Sequence, residues 1–345
     1  MKRTETILKI SDLQVAFERG KRSLPVIEGL NLELLRGKVL GLVGESGCGK
    51  SMTALSVLRL LPSGGRITGG EILLDNENLL ELSKGEMRRI RGKRIGMIFQ
   101  DPNSALNPVR RVGSQFIETL QTHLSLERPK AKMMAESMLS TLGLSGPERL
   151  MRCYPFQLSG GMRQRVMIAL ALSLQPDVLL ADEPTTALDV TVQAQILAEM
   201  KKLQDQFKTA ILLVSHNLGV IAQLCDEVAV MYGGTIVETG TVEALFTQTA
   251  HPYTQGLLYA IPHLYKSRGQ TLSIIKGQPP EAGRIPQGCP FAPRCGAALE
   301  ICRRSRPTLQ QTGDDPGHQR ACHFPLTWTA KQHTAQSLSR KVVSS

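Results

Sequence analysis

Aromatic residues are scarce in this chain, at 4% of the total, with one Trp, five Tyr and eight Phe. That scarcity excludes a basic stripe interleaved with stacking aromatics, the pattern that grips single-stranded nucleic acid, although the formal net charge is +11. From Arg284 onward nine Lys/Arg face three Asp/Glu, so about half of the excess is a C-terminal, solvated or membrane-proximal surface. No run approaches the roughly 18 apolar residues of a membrane-spanning helix; Val166 to Leu174 is among the longest. The opening MKRTETILKI has a basic start but no apolar signal core, which predicts a chain that stays in the cytosol unless a partner holds it at a membrane. Tight Cys-x2-Cys hooks are also missing. Cys48, Cys153 and Cys225 are scattered, whereas Cys289, Cys295, Cys302 and Cys322 crowd the C-terminal region. Because cytosolic disulfides are rare, that crowding calls for a metal, a cluster, or reduced thiols packing a small unit.

What is present begins with Gly44 to Ser51, GESGCGKS, a Gly-x4-Gly-Lys-Ser loop. An apolar run, Lys38 to Val43, precedes it, and Met52 to Leu61 carries leucines at helical spacing before Pro62. Strand, glycine loop and helix form the context in which this motif cradles nucleotide phosphates. Backbone N–H groups from Gly44, Glu45, Ser46, Gly47, Cys48, Gly49, Lys50, Ser51 and Met52 are the candidate phosphate contacts, aided by the helix N-terminus. Lys50 is expected to reach the β- and γ-phosphates, and the Ser51 hydroxyl to hold Mg2+. Cys48, a thiol among N–H donors at a helix N-terminus, is expected to lean toward thiolate and to react with maleimide.

Short strands fill residues 5 to 43, followed by the runs 69–75 and 95–99, and a helical pattern spans about 103–175. Val178 to Ala181 and Ala210 to Val214 read as parallel core strands with a helix from Val192 to Phe207 between them. Gly233-Gly234 predicts a hairpin between 227–232 and 235–238. This is an α/β nucleotide domain over residues 5–250 with a helical subdomain at about 103–175. A proline-rich, four-cysteine extension is expected over 251–328 and a disordered tail over 329–345. No internal repeat is visible.

The strand Val178 to Ala181 ends in Asp182 and Glu183. At the edge of a parallel sheet, Asp182 is positioned for Mg2+ and Glu183 for orienting or deprotonating the attacking water. Leu158-Ser159-Gly160-Gly161-Met162 opens another helix, whose N-terminus suits an anion. With the phosphate loop and the Asp-Glu strand, this segment makes the chain resemble the nucleotide-binding subunits of ATP-binding-cassette proteins. The resemblance implies a P-loop NTPase core with an antiparallel β subdomain and an α-helical insertion. It also implies that Ser159, Gly160 and Gly161 bind the γ-phosphate held by an opposite subunit, and that Gln100 is the glutamine touching Mg2+. Asp189 resembles the aspartate at the dimer interface, His216 the histidine at the γ-phosphate, and Phe17 the aromatic stacked on adenine.

Finer likeness runs from about Leu8 to Trp328. Residues 160–169, 185–195 and His251-Pro252-Tyr253-Thr254-Gln255-Gly256-Leu257-Leu258 look like the oligopeptide/dipeptide/nickel importer ATPases. That likeness implies a non-identical ATPase partner, two integral-membrane permease subunits, a substrate-binding protein and residence on the cytoplasmic face of the plasma membrane. In some relatives the cysteine extension holds a [4Fe–4S] cluster. Four thiolates suit that cluster or a tetrahedral Zn2+, with His323 as a substitute ligand. The long, unequal spacers favour the cluster. Cassette ATPases acting on DNA insert coiled coils between loop and signature, and the 106 residues between Ser51 and Leu158 are too few for one. Translation-type members carry two cassettes, and this chain has one. Exporters commonly fuse a membrane domain. Cargo is chosen by the binding protein and permease, so di- and oligopeptides, glutathione and nickel chelates all remain open.

Overall fold

The strands Val39–Val43, Val178–Asp182 and Ala210–Ser215 are buried at every residue, as expected of parallel strands covered on both faces. A computed structural model describes residues 5–20, 22–186, 188–260, 275–313 and 315–323. Within it the chain divides into two compact units.

The first unit comprises Met1–Leu8, Leu34–Val39 and Leu73–Val214. Here Ile95–Ile98, Val178–Asp182 and Ala210–Ser215 run parallel, with Ile98 opposite Ala181 and Asp182 opposite Val214. Helices Val112–Leu124, Arg128–Thr141, Pro147–Arg152 and Gly160–Leu172 occupy the segment expected to be helical. Val112, Phe116, Leu120, Ala131, Ala135 and Leu139 form their buried faces. The helices approach closely at Gly113, where an added Cβ would stand 2.6 Å from the Met151 carbonyl. Arg94 pins the strand entrances, donating to Asp177 at 2.8 Å and to Asp75 at 3.2 Å. Such partly exposed pairs contribute about 1 kcal/mol or less, so they fix position more than stability.

The second unit comprises Lys9–Glu33, Leu40–Ile72 and Ser215–Ser345. Strands Arg22–Leu35, Thr6–Arg19 and Gly65–Leu74 lie side by side in that order in one sheet. Val39–Val43 pairs in parallel with Glu227–Tyr232, Leu40 opposite Glu227. Gly233 and Gly234, at φ of 53° and 80°, then turn the chain into Thr235–Thr241, the backbone a two-residue hairpin requires. Residues past His251, read from sequence as loop, also contribute two strands. Gln319–Arg320 pairs with Thr235–Thr241, Glu238 opposite Arg320, and Gln310–Gln311 pairs with Gln319–Arg320. Two-residue strands are too short to leave a periodic signal. The expected tail, 329–345, lies outside the described residues.

Candidate active site

The phosphate loop leaves the buried strand Val39–Val43 at Gly44. A side chain there is impossible without rearrangement, because its Cβ would lie 2.2 Å from the Met231 carbonyl oxygen. Gly47 has open space around it but a φ of +83°, so its glycine serves the backbone path. Gly49, at φ 111°, precedes the helix Lys50–Val57. That helix begins with the loop lysine and ends earlier than the expected Leu61, since Arg59 takes φ 52°. Lys50 is buried, and its Nζ donates to the Gly44 carbonyl at 2.8 Å and to the Glu45 carbonyl at 3.0 Å. A desolvated ammonium held by carbonyls is ready to exchange them for phosphate oxygens. Ser46 and Gly47 are exposed at the loop tip, and Ser51 and Met52 are half-buried in the first helical turn. Phe17 is half-buried, its ring beside Gly65. In the same unit His216 follows the strand Ala210–Ser215 and is exposed.

In the other unit Asp182 closes its strand and is buried. Glu183 adopts φ 46°, a left-handed conformation uncommon outside glycine and costing on the order of 1 kcal/mol or more. The cost is offset by local bonds. Its amide donates to the Val214 carbonyl at 2.9 Å. Its carboxylate accepts from the Thr186 hydroxyl at 2.8 Å and from Gln100 Nε2 at 3.3 Å. The kink turns Glu183 out of the strand direction, and Gln100, at the end of the neighbouring strand, meets it. Ser159 caps the helix Gly160–Leu172, accepting from the Met162 amide at 3.3 Å. Further along that helix, Gln164 Nε2 donates to the Pro184 carbonyl at 2.6 Å, tying it to the carboxylate segment. Asp189 caps the helix Val190–Phe207 through the Val192 amide at 2.9 Å.

Comparison with known proteins meets this geometry. Residues 27–186 match the ABC transporter family model, and residues 237–302 match the oligopeptide/dipeptide transporter C-terminal region. The chain is 44% identical to the oligopeptide transport ATP-binding protein OppD of Escherichia coli, covering 93% of this chain and 94% of that protein. It is 45% identical to the dipeptide transport ATP-binding protein DppD of Bacillus subtilis, covering 95% and 99%. The chain belongs to the oligopeptide/dipeptide branch of the ABC transporter family. Its cassette fold is likewise that of a solved dimeric ATP-binding cassette, MJ0796, bound to ADP and Pi, with a TM-score of 0.62, 27% identity, and coverage of 68% of this chain and 98% of that one. No helix among the described residues of this ABC subunit is long and apolar enough to cross a membrane.

Two expectations for the subunit's cysteines find no support in the structure. Cys48 is buried, 3% exposed, and burial pushes its thiol up despite the nearby Lys50 ammonium. Desolvation therefore works against the thiolate character that the helix end alone would favour. Cys289, Cys295, Cys302 and Cys322 do share one cavity, with His323 at its wall, but its volume is about 20 Å3. Among the described residues no three His, Cys, Asp or Glu side chains stand as a metal-holding group. Nothing in this arrangement supports a cluster or zinc at the four thiols. Ser51, Gln100 and Asp182 do carry the hard oxygen donors that suit Mg2+.

Sequence reading missed Arg294. Its guanidinium makes a two-pronged ion pair with Glu45 of the phosphate loop. The two residues lie 249 positions apart, and no local pattern marks the arginine.

Proposed function

We propose that this chain is the ATP-hydrolysing motor subunit of a membrane importer for di- or oligopeptides. The observation that carries this reading is the restrained Glu183 carboxylate, bonded by Gln100 and Thr186 beside the buried Asp182, in a chain with a complete Gly44–Ser51 loop. Lys50 and the loop amides bind the β- and γ-phosphates, except the Glu45 N–H, which donates instead to the Tyr253 hydroxyl at 2.8 Å. Ser51, Gln100 and Asp182 would hold Mg2+, which when bound would spread the charge of the phosphate oxygens. Glu183 orients the attacking water and accepts its proton. His216 contacts the γ-phosphate, and Phe17 stacks on adenine.

The site is completed by a second, non-identical ATPase whose signature helix caps this chain's ATP, while Ser159, Gly160 and Gly161 cap the partner's. Gly160 supports that reading: among the described residues nothing stands within 4 Å of a Cβ placed there, which leaves the signature tip open to a ligand held by another subunit. Val190 supports it too, an apolar side chain 82% exposed immediately after Asp189. Two permease subunits dock beside Gln100, against the segment 101–108 and an exposed apolar face. That face carries exposed Phe156, stacked on Tyr154 with Arg111 over the Tyr154 ring. Docking holds the subunit on the cytoplasmic side of the membrane, and a substrate-binding protein chooses the cargo. No step runs through the four C-terminal thiols; iron and sulfide analysis of anaerobically purified protein decides whether the extension over 251–328 takes up a [4Fe–4S] cluster.

Glu183→Gln tests the reading. ATP binding is expected to survive while hydrolysis by the assembled transporter falls on the order of a hundredfold or more. Turnover within about threefold of wild type contradicts the assigned role.

A further inference from the structure

Glu45, the second residue of the phosphate loop, is held from outside the loop on two sides. Its amide donates to the Tyr253 hydroxyl at 2.8 Å. Its carboxylate takes both prongs of Arg294, Nη2 to Oε1 at 3.0 Å and Nη1 to Oε2 at 2.5 Å. Arg294 spends its remaining donors close by. Nε reaches the Lys276 carbonyl at 2.9 Å, Nη2 the carbonyls of Ile275 and Gly277 at 3.2 Å, and Nη1 the Tyr232 hydroxyl at 3.2 Å. The Arg294 side chain is 5% exposed and that of Glu45 25%, so the pair is largely shielded from solvent.

The clamp is anchored in turn. Tyr232 and Tyr253 are fully buried and meet edge-on at 4.6 Å, and Phe291 packs on both at 5.2 and 5.3 Å. His251 Nδ1 accepts from the Tyr253 amide at 3.0 Å, and the amides of Ala250 and His251 donate to buried Glu238, which His318 also reaches. Arg294 sits between Cys289 and Cys295, in the segment whose thiols and Phe291 close the small cavity. The cysteine-rich segment is thus the platform that delivers Arg294.

We infer that the C-terminal region clamps the phosphate loop through Arg294 and Tyr253, which are positioning residues that set the subunit's affinity for ATP. Two physical effects act together. Tyr253 fixes the orientation of the Glu45 amide, and with it the peptide planes on which the neighbouring N–H groups converge. Arg294 neutralises a carboxylate that would otherwise stand in the loop beside a polyanion. A bidentate guanidinium does this with a geometry that lysine lacks. The inference rests on ATP binding at Gly44–Ser51, and the experiment separates the two.

MgATP binding and hydrolysis are to be measured on the full chain assembled with its partner ATPase and permeases. Wild type, Arg294→Gln, Arg294→Lys, Tyr253→Phe and the double variant Glu45→Gln/Arg294→Gln are compared. Arg294→Gln is expected to raise KM and Kd for MgATP about tenfold with kcat within about threefold; Arg294→Lys falls between it and wild type. Removing the orphaned charge in the double variant recovers most of the affinity, which a purely structural role would not produce. Tyr253→Phe raises Kd several-fold. If Arg294→Gln does not fold, Tyr253→Phe and the double variant carry the test. Folded variants that bind MgATP within about twofold of wild type overturn the clamp and leave the ATP site intact. A wild-type complex that binds no MgATP overturns the ATP reading itself.

Discussion

His251 is a buried imidazole whose environment penalises the charged form: burial, with Arg320 adding to it, depresses its pKa from 6.5 to about 3. The unfolded chain therefore takes up a proton at this residue below about pH 6.5, and the folded chain does not. The contribution to stability is complete above pH 6.5 and is lost as pH falls from there toward 3, by up to about 1.4 kcal/mol per pH unit. Urea unfolding of wild type and His251→Asn, compared between about pH 7 and about pH 5, is expected to show a steeper decline in wild type. Parallel pH profiles would contradict the assignment. At this scale the sequence is informative where one residue type has one use, as with Lys50, Asp182 and Glu183. It fails where a neighbour distant in sequence decides. Cys48 reads as reactive from its loop, but its burial comes from packing that no local pattern encodes, and Arg294 is defined by a partner 249 residues away.

Strands and helices were more legible than individual side chains. The buried strands Val178–Asp182 and Ala210–Ser215 are uninterrupted apolar runs, and Gly233-Gly234 announces its hairpin. What stayed hidden is what periodicity cannot express: the left-handed kink at Glu183, and the short strands Gln310–Gln311 and Gln319–Arg320 added after the proline-rich stretch. The signature helix illustrates an element whose local and assembled needs differ. Ser159 caps it within the chain, and a Cβ at Gly160 in its first turn would meet none of the described residues within 4 Å. Gly160→Ala is therefore expected to change the stability of this chain by less than about 1 kcal/mol. In the assembled transporter the same methyl group would intrude on the partner's nucleotide, lowering ATP turnover about tenfold or more. Thermal unfolding of the subunit and turnover of the complex, measured together, check both halves; full turnover in the complex removes the argument for an opposing nucleotide.

Across the whole molecule, the cassette motifs occupy two compact units, with the phosphate loop, Phe17 and His216 in one and Gln100, the signature, Asp182 and Glu183 in the other. Extension residues join the unit that holds the phosphate loop, both through the sheet and through Glu45. This gives the C-terminal region a mechanical part in nucleotide handling as well as a structural one. Nucleotide-dependent closure of the heteromeric ATPase pair tests the central claim most directly. It can be read as the distance between spin labels on this chain's helix Val190–Phe207 and on the partner ATPase, in the assembled transporter carrying Glu183→Gln. The account predicts that MgATP collapses the distribution to a short distance that persists because hydrolysis is blocked. An identical distribution with and without MgATP would contradict it.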